Sequence, residues 1–252
     1  MIDIHSHVLP GVDDGAKDEA ASLDMMKAAI ADGITMLAAT PHHQNGRFNN
    51  ERPAILEKVA QLNALAAANQ LDITIVAGQE VRLYSGLIED FNNEKLVPFG
   101  RYILIEFPTH QVPHYAERLF YDMQLSGLTP IIVHPERNTE FLKRPERLVE
   151  FIEKGALVQV TAASVVGRFG KKIQNFAHRL FQADAVHFIA SDAHNMDSRG
   201  FSLKEAYGWI GKKYGEELAE SLQENAKAVL ANEIFYPNSP SKVKNGKILG
   251  LF

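Results

Sequence analysis

Short β-branched runs alternate with amphipathic helical patterns from one end of this 252-residue chain to the other. Strands are read at 2–5 ("IDIH"), 35–40 ("TMLAAT"), 73–78 ("ITIVAG"), 102–106 ("YILIE"), 130–133 ("PIIV"), 157–161 ("LVQVT") and 186–190 ("VHFIA"). Helices fill the intervals. In 18–32, Leu23, Met26 and Ile30 recur at helical spacing and Gly33 suits the stop. In 145–154, Pro145 fits the first turn, Leu148, Phe151 and Ile152 make the stripe, and Gly155 ends it; a helix over 114–126 stops likewise at Gly127. Such alternation demands a parallel sheet covered on both faces. Seven units without a break fit a closed or nearly closed β/α barrel, one domain over 1–252. The closing "YPNSPSKVKNGKILGLF" reads as an irregular, solvated tail, whose three lysines offer a contact to an acidic partner as the alternative.

Composition removes several function classes. A formal net charge of −5 argues against nonspecific nucleic-acid binding, which needs a basic face to displace counterions. No run of 18 apolar residues exists, so no membrane insertion is expected. Asp3 and His5 interrupt any signal peptide, and a cytoplasmic protein is expected. Cysteine is absent, which excludes disulfides, thiolate ligands and a cysteinyl-phosphate intermediate.

The strand ends carry the chemistry. The first runs into "DIHSHVLPGVDDG", with His5, His7 and the Asp13–Asp14 pair; the second into "TPHHQ", with His42 and His43. Glu80 follows in "GQEVR", Glu106 in "LIEFP", His134 in "VHPERN", and Asp192 and His194 in "SDAHN"; only the sixth strand, ending in "VTAAS", lacks such a residue. Active sites of β/α folds form where these ends converge. Taken singly, each signal has a bland reading: the DDG segment as a turn, "HPERN" as a proline turn, a glutamate as a paired barrel residue. A carboxylate ending an apolar strand is costly unless it is paired or bound to a cation, and the joint pattern favours a metal site. The candidate ligands are His5, His7, one of Asp13 and Asp14, His42, Glu80, Glu106, His134, Asp192 and His194, more than one ion takes. Imidazole and carboxylate without thiolate suit manganese, zinc or iron, and clusters of ions about 3.5–4 Å apart serve in-line hydrolysis at phosphorus. Arg137 and Arg199 lie in loops beside proposed ligands, where they read either as phosphate-binding groups or as surface or supporting arginines. His110, His114, His178 and His187 lack strand-end placement and are read as structural.

The order "DIHSH…DDG", "TPHH", "GQEV", "IEFP", "HPERN" and "SDAH…R" resembles the polymerase and histidinol phosphatase (PHP) superfamily, and within it the manganese-dependent protein-tyrosine phosphatases of Gram-positive bacteria. The resemblance implies a distorted (β/α)7 barrel with a trinuclear site, where the ligand count by itself allows two to three divalent ions. One ion would use His5, His7, Glu80 and Asp192; a second Glu80, Glu106 and His134; a third His42, His194 and an aspartate of the DDG turn, with Asp14 preferred. Beside such ions, Arg137 and Arg199 together favour a phosphoester substrate and are the candidate catalytic residues on their own chemistry. It further implies a phosphotyrosine substrate on the tail of a cognate tyrosine kinase governing capsule or exopolysaccharide synthesis. A small-molecule phosphatase acting on histidinol phosphate, or a non-catalytic kinase-binding regulator, are the alternatives.

Overall fold

The computed structural model describes residues 1–243. Its strands are β1 (Ile2–Ser6), β2 (Met36–Ala39), β3 (His42–His43), β4 (Thr74–Ala77), β5 (Glu80–Arg82), β6 (Tyr102–Glu106), β7 (Thr129–Val133), β8 (Leu157–Thr161) and β9 (Phe188–Ala190). They form two parallel ladders, β1-β2-β4 and β3-β5-β6-β7-β8-β9. The second and third expected strands each continue past a break into β3 and β5. Pro41, with no N–H to give, interrupts one. Gly78 interrupts the other, where a Cβ would fall 2.4 Å from Cζ of Phe99. Backbone bonds cross the breaks: Gly78 N–H donates to Ala39 O (3.0 Å) and Glu80 N–H to Pro41 O (3.2 Å).

The ring closes between β9 and β1. Ser6 bridges Ala193 in parallel; His7 N–H donates to Ala193 O (2.8 Å) and Asp192 N–H to His5 O (2.9 Å). The buried Asp3 carboxylate staples the same seam by accepting from Ser191 N–H at 3.0 Å. A distorted β/α barrel of seven strand units results, as the alternating sequence implies.

Strand alternation sorts the interior. Ile4, Ala38, Leu104, Ile131, Leu157, Phe188 and Ala190 pack on one another, with Ala226 and Val229 of the helix Glu216–Leu230 closing that end. Two residues further along the same faces stand Glu106, Gln159 and Asp192, so the period that fills the floor with apolar groups lines the mouth with polar ones. On β1 the register shifts between Asp3 and Ser6. That irregularity lets His5 join Ile4 on the interior side, a common use of bulges beside active sites.

The helices over Glu19–Ala31, Ala116–Leu125 and Glu146–Glu153 fall within two residues of the sequence expectation. Asp18 caps the first by accepting from Ala21 N–H at 2.8 Å. The tail departs from its solvated reading in one respect: Ser241 N–H donates to Ala183 O (2.8 Å), and Val243 is buried in the main core. An apolar side chain three residues beyond Pro240 has a place to go that no local pattern indicates. Lys242 is exposed; the other two tail lysines, 244 and 247, lie outside the described residues.

Candidate metal centre

All nine expected ligands meet at the mouth of the barrel. Glu80, fully buried, is the hub. Its Oε1 lies 2.7 Å from His134 Nε2, and its Oε2 lies 2.7 Å from His42 Nδ1, 3.3 Å from His7 Nε2 and 3.5 Å from His5 Nε2. Asp192 Oδ1 approaches His7 Nε2 at 3.4 Å, His194 Nδ1 at 3.5 Å and His5 Nε2 at 3.6 Å. Three groupings have the compactness of cation sites: His5–His7–Glu80, His42–Glu80–Glu106, and His7–Asp14–His42–His194. The first two share Glu80 as the resemblance implies, but His42 faces both Glu80 and Asp14, and Glu106 groups with His42 rather than with His134.

The DDG turn separates its two aspartates by role. Asp13 Oδ2 accepts from His42 N–H (3.1 Å) and lies 2.7 Å from His7 Nδ1, and its Oδ1 accepts from Gly15 N–H (2.9 Å). Asp14 Oδ1 instead sits between His42 Nε2 (3.3 Å) and His194 Nε2 (3.4 Å), which is the ligand-like position. Gly15 is required by packing: a Cβ there would lie 2.0 Å from His7 O and 2.5 Å from His7 Cβ. Gly15→Ala should therefore displace His7 and weaken metal binding about 10- to 100-fold, the loss common when a ligand's support is removed; metal titration of the purified variant measures it.

Whether these residues fit cations is tested by their unused valences. His42 Nδ1, Glu80 Oε2, Glu106 Oε2, Asp192 Oδ1 and His194 Nε2 are buried, and none has a hydrogen-bond partner of adequate geometry. Buried carboxylates and imidazoles crowded together in this way are strongly unfavourable unless a cation compensates them. A six-coordinate cation with bonds of about 2.1 Å sets neighbouring ligand atoms about 3 Å apart, close to the spacings found here. Oxygen and imidazole donors suit the divalent ions of the first transition row.

Electrostatics of the metal-free chain divide the set. Burial pushes the Glu106 carboxyl up to about 7, with the charge of Glu80 adding to the shift. Burial and the Arg137 guanidinium hold His134 down at about 3, and burial with His7 holds His194 at about 4, so both imidazoles are neutral and ligand-ready. His42 behaves oppositely: burial alone would lower it, but Glu80 and Asp14 hold it at about 10. His134 (φ +38) and Asp192 (φ +53) occupy left-handed backbone, a strain of roughly 1–3 kcal/mol for a non-glycine residue that clusters at functional sites.

Arg137 and Arg199 converge on Asp192 Oδ2 at 2.6 and 2.9 Å. Both line a cavity of about 350 Å³ that also holds Asp14, His42, Phe107 and Phe141. Sequence reasoning missed several supporting groups. Gln159 of β8 accepts from His5 Nδ1 at 2.9 Å, leaving His5 Nε2 to face Glu80 and Asp192. Arg82 Nε pairs with Glu106 Oε2 at 3.0 Å. Gln159 was visible as the amide interrupting the apolar stretch of "LVQVT". His43 turns away to Asn50 O, and His187 and His178 serve packing, against Val158 N–H and the Trp209 ring.

A parallel β/α barrel with histidines and carboxylates gathered at its C-terminal mouth defines a metal-dependent hydrolase architecture. The chain belongs to the capsular polysaccharide synthesis CpsB/CapC family, whose model matches residues 1–231. It is 44% identical over 254 residues to the tyrosine-protein phosphatase YwqE of Bacillus subtilis, covering all of both chains. It is 30% identical to CpsB of Streptococcus pneumoniae, also a tyrosine-protein phosphatase, covering 93% of this chain and all of that one. Among solved structures, one from the set of YwqE and CpsB, described as unique metal-dependent tyrosine phosphatases, superposes with TM-score 0.94 at 45% identity, covering 97% of this chain and 100% of that one. The lactonase Lmo2620 of Listeria monocytogenes shares the fold alone, at TM-score 0.51 and 10% identity over 92% of this chain and 91% of that one. Among the described residues no helix is long and apolar enough to cross a membrane.

Proposed function

We propose that this protein is a metal-dependent protein-tyrosine phosphatase that hydrolyses phosphotyrosine directly, without a phosphoenzyme. The observation that carries this reading is the set of buried, hydrogen-bond-free ligand atoms of Glu80, Asp192, His42, His194 and Glu106, next to two arginines that share one carboxylate oxygen. Their nearness to YwqE and CpsB supports it.

On this reading His5, His7, Asp14, His42, Glu80, Glu106, His134, Asp192 and His194 hold two to three divalent cations, manganese by preference, with iron and zinc as the other candidates. When bound, such cations supply Lewis acidity that lowers the pKa of water at the site and offsets charge developing on phosphorus. The chain's own groups do the rest. Arg137 and Arg199 bind the equatorial phosphate oxygens and hold phosphorus in line for attack. Phe107, on the cavity wall and backed by the buried Phe141, gives the substrate ring an apolar edge. Phenolate is a good leaving group, so little acid assistance is needed. With no cysteine, no cysteinyl-phosphate can form, and on this reading water is the nucleophile.

The phosphoprotein this reading implies is the tyrosine-rich tail of a cognate bacterial kinase that controls capsule or exopolysaccharide synthesis, consistent with the family's capsule description. Such a tail is phosphorylated in the cytoplasm, where the reading places the enzyme. The test is a metal-resolved assay. Metal-free protein given manganese, iron or zinc is compared on a phosphotyrosine peptide and on histidinol phosphate. Manganese-restored turnover favouring the peptide is expected. Preference for histidinol phosphate would make it a small-molecule phosphatase, and no turnover with any ion would leave a binding regulator.

A further inference from the structure

"HPERN" and "VTAAS" meet in the fold, and their contact has no role in the chemistry above. Glu136, between Pro135 and Arg137, is fully buried. Its Oε1 accepts from the Thr161 backbone N–H at 3.0 Å, at the end of β8, and from the Ser164 hydroxyl at 2.6 Å, in the helical turn Ala162–Val165 that follows. Its Oε2 is buried without a hydrogen bond. A carboxylate so placed contributes little to stability compared with an apolar residue. Apart from its own backbone bonds, Arg137 N–H to His134 O and Asn138 N–H to Pro135 O (both 3.0 Å), the turn it belongs to is held to its surroundings at its start, where His134 N–H donates to Gln159 O at 2.8 Å, and at its end, where Asn138 Oδ1 accepts from Glu140 and Phe141 N–H at 2.9 and 3.0 Å. Between these anchors Arg137 must project its guanidinium to Asp192, 2.6 Å away.

We propose that Glu136 is a positioning residue for Arg137: by gripping the Thr161 N–H and Ser164 hydroxyl, it fixes the Pro135–Arg137 turn and so aims the guanidinium at the site of phosphate binding. The sixth strand, the one end without an ionisable residue, is thereby the socket of the site rather than a gap in it. The role of Arg137 rests on the phosphatase reading; the tether itself does not.

The experiment is a double-mutant cycle on the full chain with manganese, read as kcat/KM on a phosphotyrosine peptide, with bound metal measured alongside. Glu136→Ala should lower kcat/KM by roughly 10- to 100-fold, as loss of a supporting partner does, with bound metal unchanged. Arg137→Ala should lower it roughly 10²–10³-fold. The double variant should match Arg137→Ala alone, because Glu136 then has nothing to aim. Glu136→Gln, which keeps an acceptor for both donors, should recover most of the rate, and Ser164→Ala should show a smaller loss of the same kind.

Losses that multiply in the double variant, an unaffected Glu136→Ala, or a Glu136→Ala defect that tracks lost metal would each overturn the proposal. Should Glu136→Ala fail to fold, Ser164→Ala combined with Arg137→Ala gives the same cycle. A wild type that hydrolyses no phosphate ester defeats the phosphatase reading instead. The tether is then judged by calorimetric binding of inorganic phosphate to the manganese-loaded protein. Weaker binding in Glu136→Ala supports it, whereas equal or absent binding overturns it.

Discussion

Glu80→Ala should leave a folded protein with no measurable metal-dependent turnover, a loss of at least roughly 10³-fold in kcat if cations supply the charge stabilisation usual in such sites. The reason lies in its contacts: one side chain reaches His134 through Oε1 and His42, His7 and His5 through Oε2, at 2.7–3.5 Å. Two of the three compact groupings include it. Elemental analysis after gel filtration checks the result, and a variant keeping its full metal complement and rate would remove Glu80 from the site. The same residue shapes acid stability of the metal-free protein. Burial would raise its carboxyl, but His42 and His5 outweigh burial and hold it well below the usual 4.5. A depressed carboxyl contributes stability above its unfolded pKa and loses it as pH falls through the folded one. Metal-free wild type should therefore lose stability on acidification below about pH 4.5, and Glu80→Ala should flatten that limb in a denaturant titration.

Arg137→Ala and Arg199→Ala should each reduce turnover roughly 10²–10³-fold while bound metal stays near normal. Both guanidinium groups reach Asp192 Oδ2, at 2.6 and 2.9 Å, yet both line the cavity where a phosphate would sit. If their work is to hold Asp192, metal content should fall with activity. If it is to hold phosphate, KM or kcat should change alone. Lysine at either position should rescue poorly, because a point charge does not reproduce two parallel N–H donors. Unchanged rates with metal bound would strike them from the site.

Much of this is legible in the amino-acid sequence, and for a physical reason. Strand alternation is local, so Leu104 and Glu106, or Ala190 and Asp192, declare both the lumen and the mouth from sequence alone. Parallel strands then force every C-terminal end to one side of the barrel. What stayed hidden depends on contacts between distant segments. Asp13 and Asp14 are adjacent and chemically identical; only the turn's path sends one to His7 Nδ1 and the other between His42 and His194. Gln159, and Glu136 although it lies within "HPERN", declare no role locally, because their meaning lies in partners 154 and 25 to 28 positions away. The register shift in β1 and the burial of Val243 are likewise settled by packing rather than propensity.

The amino-acid order by itself determined the alternating parallel architecture, the end of the barrel that bears the chemistry, and the residue types available there, since each follows from periodicities of two and about 3.6 residues. The tertiary structure alone decided which atoms face one another: His42 looking toward both Glu80 and Asp14, Glu106 held by Arg82, and β8 serving as a socket. Such choices turn on ångström-scale approaches between segments far apart in the chain, where hydrogen-bond geometry and desolvation outweigh any local preference.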